Sequence, residues 1–179
     1  MALWSDATFK PITSNFNTGM MRPPIKGLII HITDGASLEK GKPKLPPTLD
    51  GVWGWFCNPA AIASANFCIA KDGKTLQFVD TDNRAWSVDG DTIDSQWVSV
   101  ENIALPGEKL TDEQLDQCAM LFSWLHRSNS GIPLTIASGG NSSGLGYHSL
   151  FGKGHPGCPG STVISQLSDI ISLCSAAYW

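Results

Sequence analysis

The stretch Tyr147–Gly160, YHSLFGKGHPGCPG, sets His148, His155 and Cys158 in Gly- and Pro-rich sequence, and the whole chain has only four histidines and five cysteines. Imidazole nitrogen and thiolate sulfur are donors that zinc prefers, and a catalytic zinc keeps three protein ligands with the fourth position left for water. A third donor is His31, in the apolar run Lys26–Gly35, KGLIIHITDG. His31, His148 and Cys158 could thus hold one metal from a strand end and a Gly-rich loop. The same residues admit two other readings. Cys158 could be a reactive thiol whose pKa is lowered at a helix N-terminus, with His148 as its partner, or the loop histidines could be solvated and chemically idle. Spacing does not separate these readings.

The elements that must position these groups are legible in outline. KGLIIHITDG is β-branched, opened by Pro-rich sequence and closed by Asp-Gly, so it reads as a buried strand with His31 near its end. Residues 36–47, ASLEKGKPKLPP, are polar and Pro-broken, a long loop and a candidate rim for a cleft. SANFCIAKDGKTLQFVD, from Ser64 to Asp80, has two alternating runs about a Gly turn, the pattern of a β-hairpin. QWVSVENIAL, from Gln96 to Leu105, alternates as a further strand, and a Glu inside it, Glu101, needs a partner.

From Leu110 to Gly131, Thr111 and Gln114 form a capping box, and Leu115, Cys118, Ala119, Phe122 and Leu125 recur at helical spacing. His126 and Arg127 fall in the last turn, where the helix dipole favours a basic side chain, so His126 reads as structural. GIPLTIASGG reads as a strand running into a loop, and a final helix starts near Ser161 with Val163, Ile164, Leu167, Ile170, Ile171 and Cys174 on its apolar face. Strands and helices interleave, which predicts an α/β single domain: a mixed central β-sheet flanked by helices, over residues 1–179.

Composition narrows the function. Apolar residues at 42% against 16% charged residues exclude a disordered chain. A net charge of −4 argues against nucleic-acid binding and against attraction to anionic membranes. The start, MALWSDATFKPITSNFN, has no basic segment followed by an apolar one, so no signal peptide is expected. No apolar run approaches the ~18 residues of a membrane span. Five cysteines at irregular spacing are not a disulfide framework, and Cys68, Cys118 and Cys174 read as buried thiols in apolar segments. Trp53, Trp55, Phe56 and Trp86 could line a groove for sugar or peptide faces, or could be core.

In order, LIIHITDG, SANFCIAKDGKTLQFV, NRAW, VSVENI and YHSLFGKGHPGCPG resemble the blocks of the zinc-dependent N-acetylmuramoyl-L-alanine amidase type 2 family, which includes amidase-type phage lysozymes and peptidoglycan recognition proteins. The resemblance runs from about Lys26 to Gly160, with the helix of residues 161–176 beyond it. It implies one Zn2+ per chain on His31, His148 and Cys158, the third ligand being Cys or Asp in the family. It implies Glu101 as the acid that takes a proton from water, and cleavage of the amide between N-acetylmuramic acid and the L-alanine of the stem peptide.

Some positions depart from the family. Asn66 stands where SAH is common, Ser87 replaces the His of AWH, and Pro156 takes the place of a Lys, Thr or Arg. That leaves His155 as the nearest donor to a tetrahedral oxyanion, with Asn66 and Trp86 as expected substrate contacts. Rival functions are a non-catalytic peptidoglycan-binding module, the thiol hydrolase of Cys158 and His148, and an amidase for another muropeptide-like amide. The expected partner is peptidoglycan or a muropeptide, in one of three settings. A phage lysin, an exported effector with a cognate immunity protein and delivery machinery, and a recycling enzyme all fit, with action at the periplasm or wall for the first two.

Overall fold

The computed structural model describes residues 3–35, 44–88, 90–152 and 156–176. In chain order the elements are β1 (Thr8–Phe9), β2 (Phe16–Asn17), β3 (Gly27–Ile32), α1 (Leu49–Cys57), β4 (Phe67–Ile69), β5 (Thr75–Gln77) and β6 (Arg84–Ala85). There follow α2 (Asp91–Asp94), β7 (Trp97–Asn102), α3 (Asp112–Ser128), β8 (Gly144–Tyr147), α4 (Ser161–Ile164) and α5 (Leu167–Ala176). Six strands form one sheet in the order β1-β5-β4-β7-β3-β8, and β2 pairs with β6 apart from it. Strands β4, β7, β3 and β8 run parallel, while β5 returns antiparallel beside β4 as the hairpin pattern requires. This is the mixed α/β sheet expected from the sequence.

Alternation along the central strands divides the sheet into two unlike faces. Leu28, Ile30, Val98, Val100, Phe67 and Ile69 join the core beneath α3 and α5. The residues between them, Ile29, His31, Ser99, Glu101, Asn66 and Cys68, turn the other way, toward α1 and the loops. The ionisable residues of β3, β4 and β7, which are His31, Cys68 and Glu101, therefore stand on the face without the long helices.

The helix α3 begins as its capping box dictates, with Thr111 Oγ1 accepting from the Gln114 amide. Gln114 is also buried, and its Nε2 donates to the carbonyls of Ile69 and Ile103, which ties the helix to the sheet. His126 Nδ1 lies 2.6 Å from the Ile132 carbonyl, the structural role its position suggested. Cys68, Cys118 and Cys174 are buried free thiols.

The GIPLTIASGG segment is corrected by the structure: it contributes only a bridge from Ile136 to Leu145, and the strand is the next segment, GLGY. The reason is steric. A Cβ on Gly144 would lie 2.3 Å from the Thr135 carbonyl, and one on Gly27 would lie 1.8 Å from the Gly144 carbonyl. Only glycine lets β3, β8 and residue 135 approach so closely, so a strand here looks like a loop in sequence. Gly27→Ala is expected to destabilise the protein by about 3 kcal/mol, read as a lowered denaturant midpoint, because backbone rather than a flexible side chain must move.

The final helix is divided into α4 and α5, and at the break the Gln166 side chain bonds the Leu110 backbone at both N and O. Residues 49–57, read only for their aromatics, form α1, capped by Thr48. Of the rim loop expected at 36–47, residues 36–43 lie outside the described residues.

Candidate metal centre

The register of β3 against β8 brings the two histidines together. Ile30 lies opposite Tyr147, so His31 and His148 are the next residues along, with His148 opening a 3-10 turn through Phe151. Both are buried, their rings 4.7 Å apart between centroids and their Nδ1 atoms 3.1 Å apart. Cys158 enters from the loop that follows, fixed by a 2.9 Å bond from the Ser149 amide to its carbonyl. Its Sγ lies 3.9 Å from His31 Nδ1 and accepts from the Ile32 amide at 3.4 Å. One donor atom from each of His31, His148 and Cys158 lies within 4.8 Å of the others.

Glu101 is His31's partner in the β3–β7 register and Cys68's in the β4–β7 register. Its Oε2 is buried with no hydrogen-bond partner among the described residues. Burial pushes the carboxyl up to about 8. Cys158 is pushed up to about 12, first by burial and then by the negative charge of Glu101, offset in part by the Ile32 amide. Burial thus favours the neutral form of each group, and a divalent ion among the donors would favour the charged form. Two imidazoles, a thiolate and a nearby carboxylate are a donor set that fits zinc.

The thiol-nucleophile reading fares poorly in this geometry. Such a thiol needs a depressed pKa. Cys158 is instead raised, and its sulfur turns back onto β3 rather than toward the start of α4 at Ser161.

Of the other residues expected to act, His155 lies outside the described residues. Asn66, expected as a substrate contact, is buried: its Oδ1 accepts from the Ser99 amide and hydroxyl, and its Nδ2 donates to the Val79 carbonyl. It braces β4 against β7. Trp86 is half-buried, with its indole N–H donated to Asn17. Beyond it, Val88 packs with Ile29, Trp97 and Phe151, flanking the histidines on the same face.

Asp94 was not visible in the sequence as a functional group. One buried oxygen of its carboxylate accepts from the Ser87 amide, the Ser87 hydroxyl and the Val88 amide, so it shapes the segment after Trp86. Among the aromatics near α1, Phe56 is core, Trp53 donates its indole N–H to Pro11, and Trp55 is 55% exposed. A cavity lined by Met21, Ile25, Val98 and Trp124 opens on the α3 side of the sheet, away from His31.

The profile described as N-acetylmuramoyl-L-alanine amidase matches residues 21–161. No curated protein matches the chain. Among solved structures, a selenomethionine derivative of AmpD superposes with a TM-score of 0.67 at 18% identity, covering 94% of this chain and 96% of that one. The Staphylococcus aureus hydrolase AmiA in complex with its ligand gives 0.64 at 13%, covering 97% and 84%. A chain of the complex of peptidoglycan recognition proteins LCa and LCx with tracheal cytotoxin gives 0.60 at 15%, covering 89% of each. At such identities the superpositions establish the fold, and the profile over most of the chain establishes the family. This chain belongs to the N-acetylmuramoyl-L-alanine amidase family and is a peptidoglycan hydrolase of the amidase type.

Proposed function

We propose that the protein binds one zinc ion through His31, His148 and Cys158 and cleaves the amide between the lactyl group of N-acetylmuramic acid and L-alanine. The observation that carries this is the convergence of the three donors within 4.8 Å beside Glu101, a carboxylate whose Oε2 is buried and unbonded among the described residues. Bound there, zinc would supply Lewis acidity toward the scissile carbonyl and make water a nucleophile near neutral pH.

The chain's own residues handle the protons and the substrate. Glu101 takes a proton from the attacking water and returns one to the departing nitrogen as the C–N bond breaks, leaving a lactyl carboxylate and a free L-alanine amine. His155 is assigned the negative oxygen of the tetrahedral intermediate. Trp86 is assigned an apolar face of the muropeptide. Because peptidoglycan lies outside the cytoplasmic membrane, the reading includes delivery by a secretion machine or phage lysis. For an exported effector it includes an immunity protein in the producing cell.

The test is metal content and product mass from one preparation. About one zinc per chain, together with stem peptides beginning at L-alanine released from purified sacculi, is the expected result. A folded chain that binds sacculi and releases nothing would leave a binding module instead.

A further inference from the structure

Residues before 21 lie outside the family match, yet they are bonded along the face that carries the metal centre. Ser14 Oγ donates to the Cys57 carbonyl at 2.9 Å, and Asn15 Nδ2 donates to the carbonyls of Phe56 and Asn58 at 2.9 and 2.8 Å, closing the end of α1. Ser64 Oγ donates to the Asn15 carbonyl at 2.6 Å and accepts from the Trp86 amide at 2.9 Å. Asn17, on β2, then meets β6: its Oδ1 accepts Nε and Nη2 of Arg84 at 3.1 and 2.6 Å and also the indole N–H of Trp86. Arg84 is buried and is held from its other side by Asp91 at 2.7 Å.

A single carboxamide oxygen thus gathers three donors, one of them the only polar atom of the Trp86 side chain. The ring so held begins the segment that ends in Val88, which shares an apolar cluster with Ile29 and Phe151, Ile29 being on the same face of β3 as His31. An aromatic ring already fixed in orientation loses less freedom when a ligand lies on it.

We propose that Asn17 is a positioning residue for substrate, acting through Trp86: it holds the indole in the orientation that receives the muropeptide. This rests on the amidase reading and on Trp86 contacting substrate. The strap before residue 21 is on this account part of the binding surface, although it lies outside the family match.

The experiment compares Asn17→Ala, Asn17→Ser, Asn17→Asp, Trp86→Ala, Trp86→Phe and the Asn17→Ala/Trp86→Ala pair on a soluble N-acetylmuramoyl pentapeptide, with the zinc-loaded full chain. Indole N–H resonances are recorded without ligand, that of Trp86 being assigned by its loss in Trp86→Phe. Asn17→Ala is expected to raise KM roughly fivefold with kcat held within about twofold, the scale of one lost hydrogen bond. The Trp86 resonance moves, and Asn17→Asp, which keeps an acceptor for both Arg84 and the indole, restores both readings. Asn17→Ser, too short to reach the indole, behaves as Asn17→Ala and serves if that variant does not fold. The pair is no worse than Trp86→Ala alone.

A folded Asn17→Ala or Asn17→Ser protein with unchanged KM, alongside a raised KM in Trp86→Ala, overturns the proposal and leaves the amidase intact. An unchanged KM in Trp86→Ala removes Trp86 from binding and the proposal with it. Wild-type protein that cleaves neither pentapeptide nor sacculi sinks the amidase reading and, with it, the role of Asn17.

Discussion

Glu101→Gln is expected to lower kcat by about a hundred- to ten-thousandfold, the usual worth of a positioned general base, while zinc content stays at the wild-type level. The carboxamide matches the carboxylate in shape but cannot take a proton. A second readout comes from the metal-free chain, in which burial lifts the carboxyl from 4.5 to about 8. Between those values the folded chain keeps a proton that the unfolded chain releases, so stability falls as pH rises. The contribution is complete below about pH 4.5 and is lost as pH climbs through about 8. In Glu101→Gln that slope disappears, which denaturant midpoints across the range would register. Wild-type turnover in the Gln variant would take Glu101 out of the chemistry.

Cys158 separates the metal reading from the thiol reading with comparable force. Cys158→Ala is expected to lose zinc and about a thousandfold or more of turnover, since Lewis-acid stabilisation is worth several kcal/mol. Cys158→Asp should keep the ion, because a carboxylate is an accepted zinc ligand at a similar bond length. Its turnover should fall within about a hundredfold of wild type, the range seen when a zinc site is perturbed but not emptied. Elemental analysis and pentapeptide hydrolysis on the same samples decide the matter. An Asp variant that holds zinc and is wholly inactive would instead point to a nucleophilic thiol.

Local pattern made much of this protein legible in its sequence. Strands β3 and β7 followed from β-branched runs, the β4–β5 hairpin from its Gly turn, and α3 from periodicity and a capping box whose bonds the structure shows. Each of these signals depends on residues close together in the chain. Residue type made His31, His148 and Cys158 candidates for a metal site, and the family resemblance chose that reading over a reactive thiol.

Tertiary structure decided what depends on distant residues. That His31 and His148 come side by side just past the last β3–β8 rung follows from the register, and β8 was hidden because its glycines answer to contacts with Thr135, Trp97 and Phe151. The bonds of Asn66 to Ser99 appear only once the fold brings β4 beside β7, and Asn17 carries no signal until β2 meets β6. The sequence by itself determined which side chains are on offer, His31, His148, Cys158 and Glu101, and the elements that bear most of them, because residue type and short-range periodicity are local, while the roles expected of those side chains came from the family resemblance. Only the tertiary structure decided their pairing and their burial, and with burial the raised proton affinities of Glu101 and Cys158, because burial and register belong to segments brought together from across the chain.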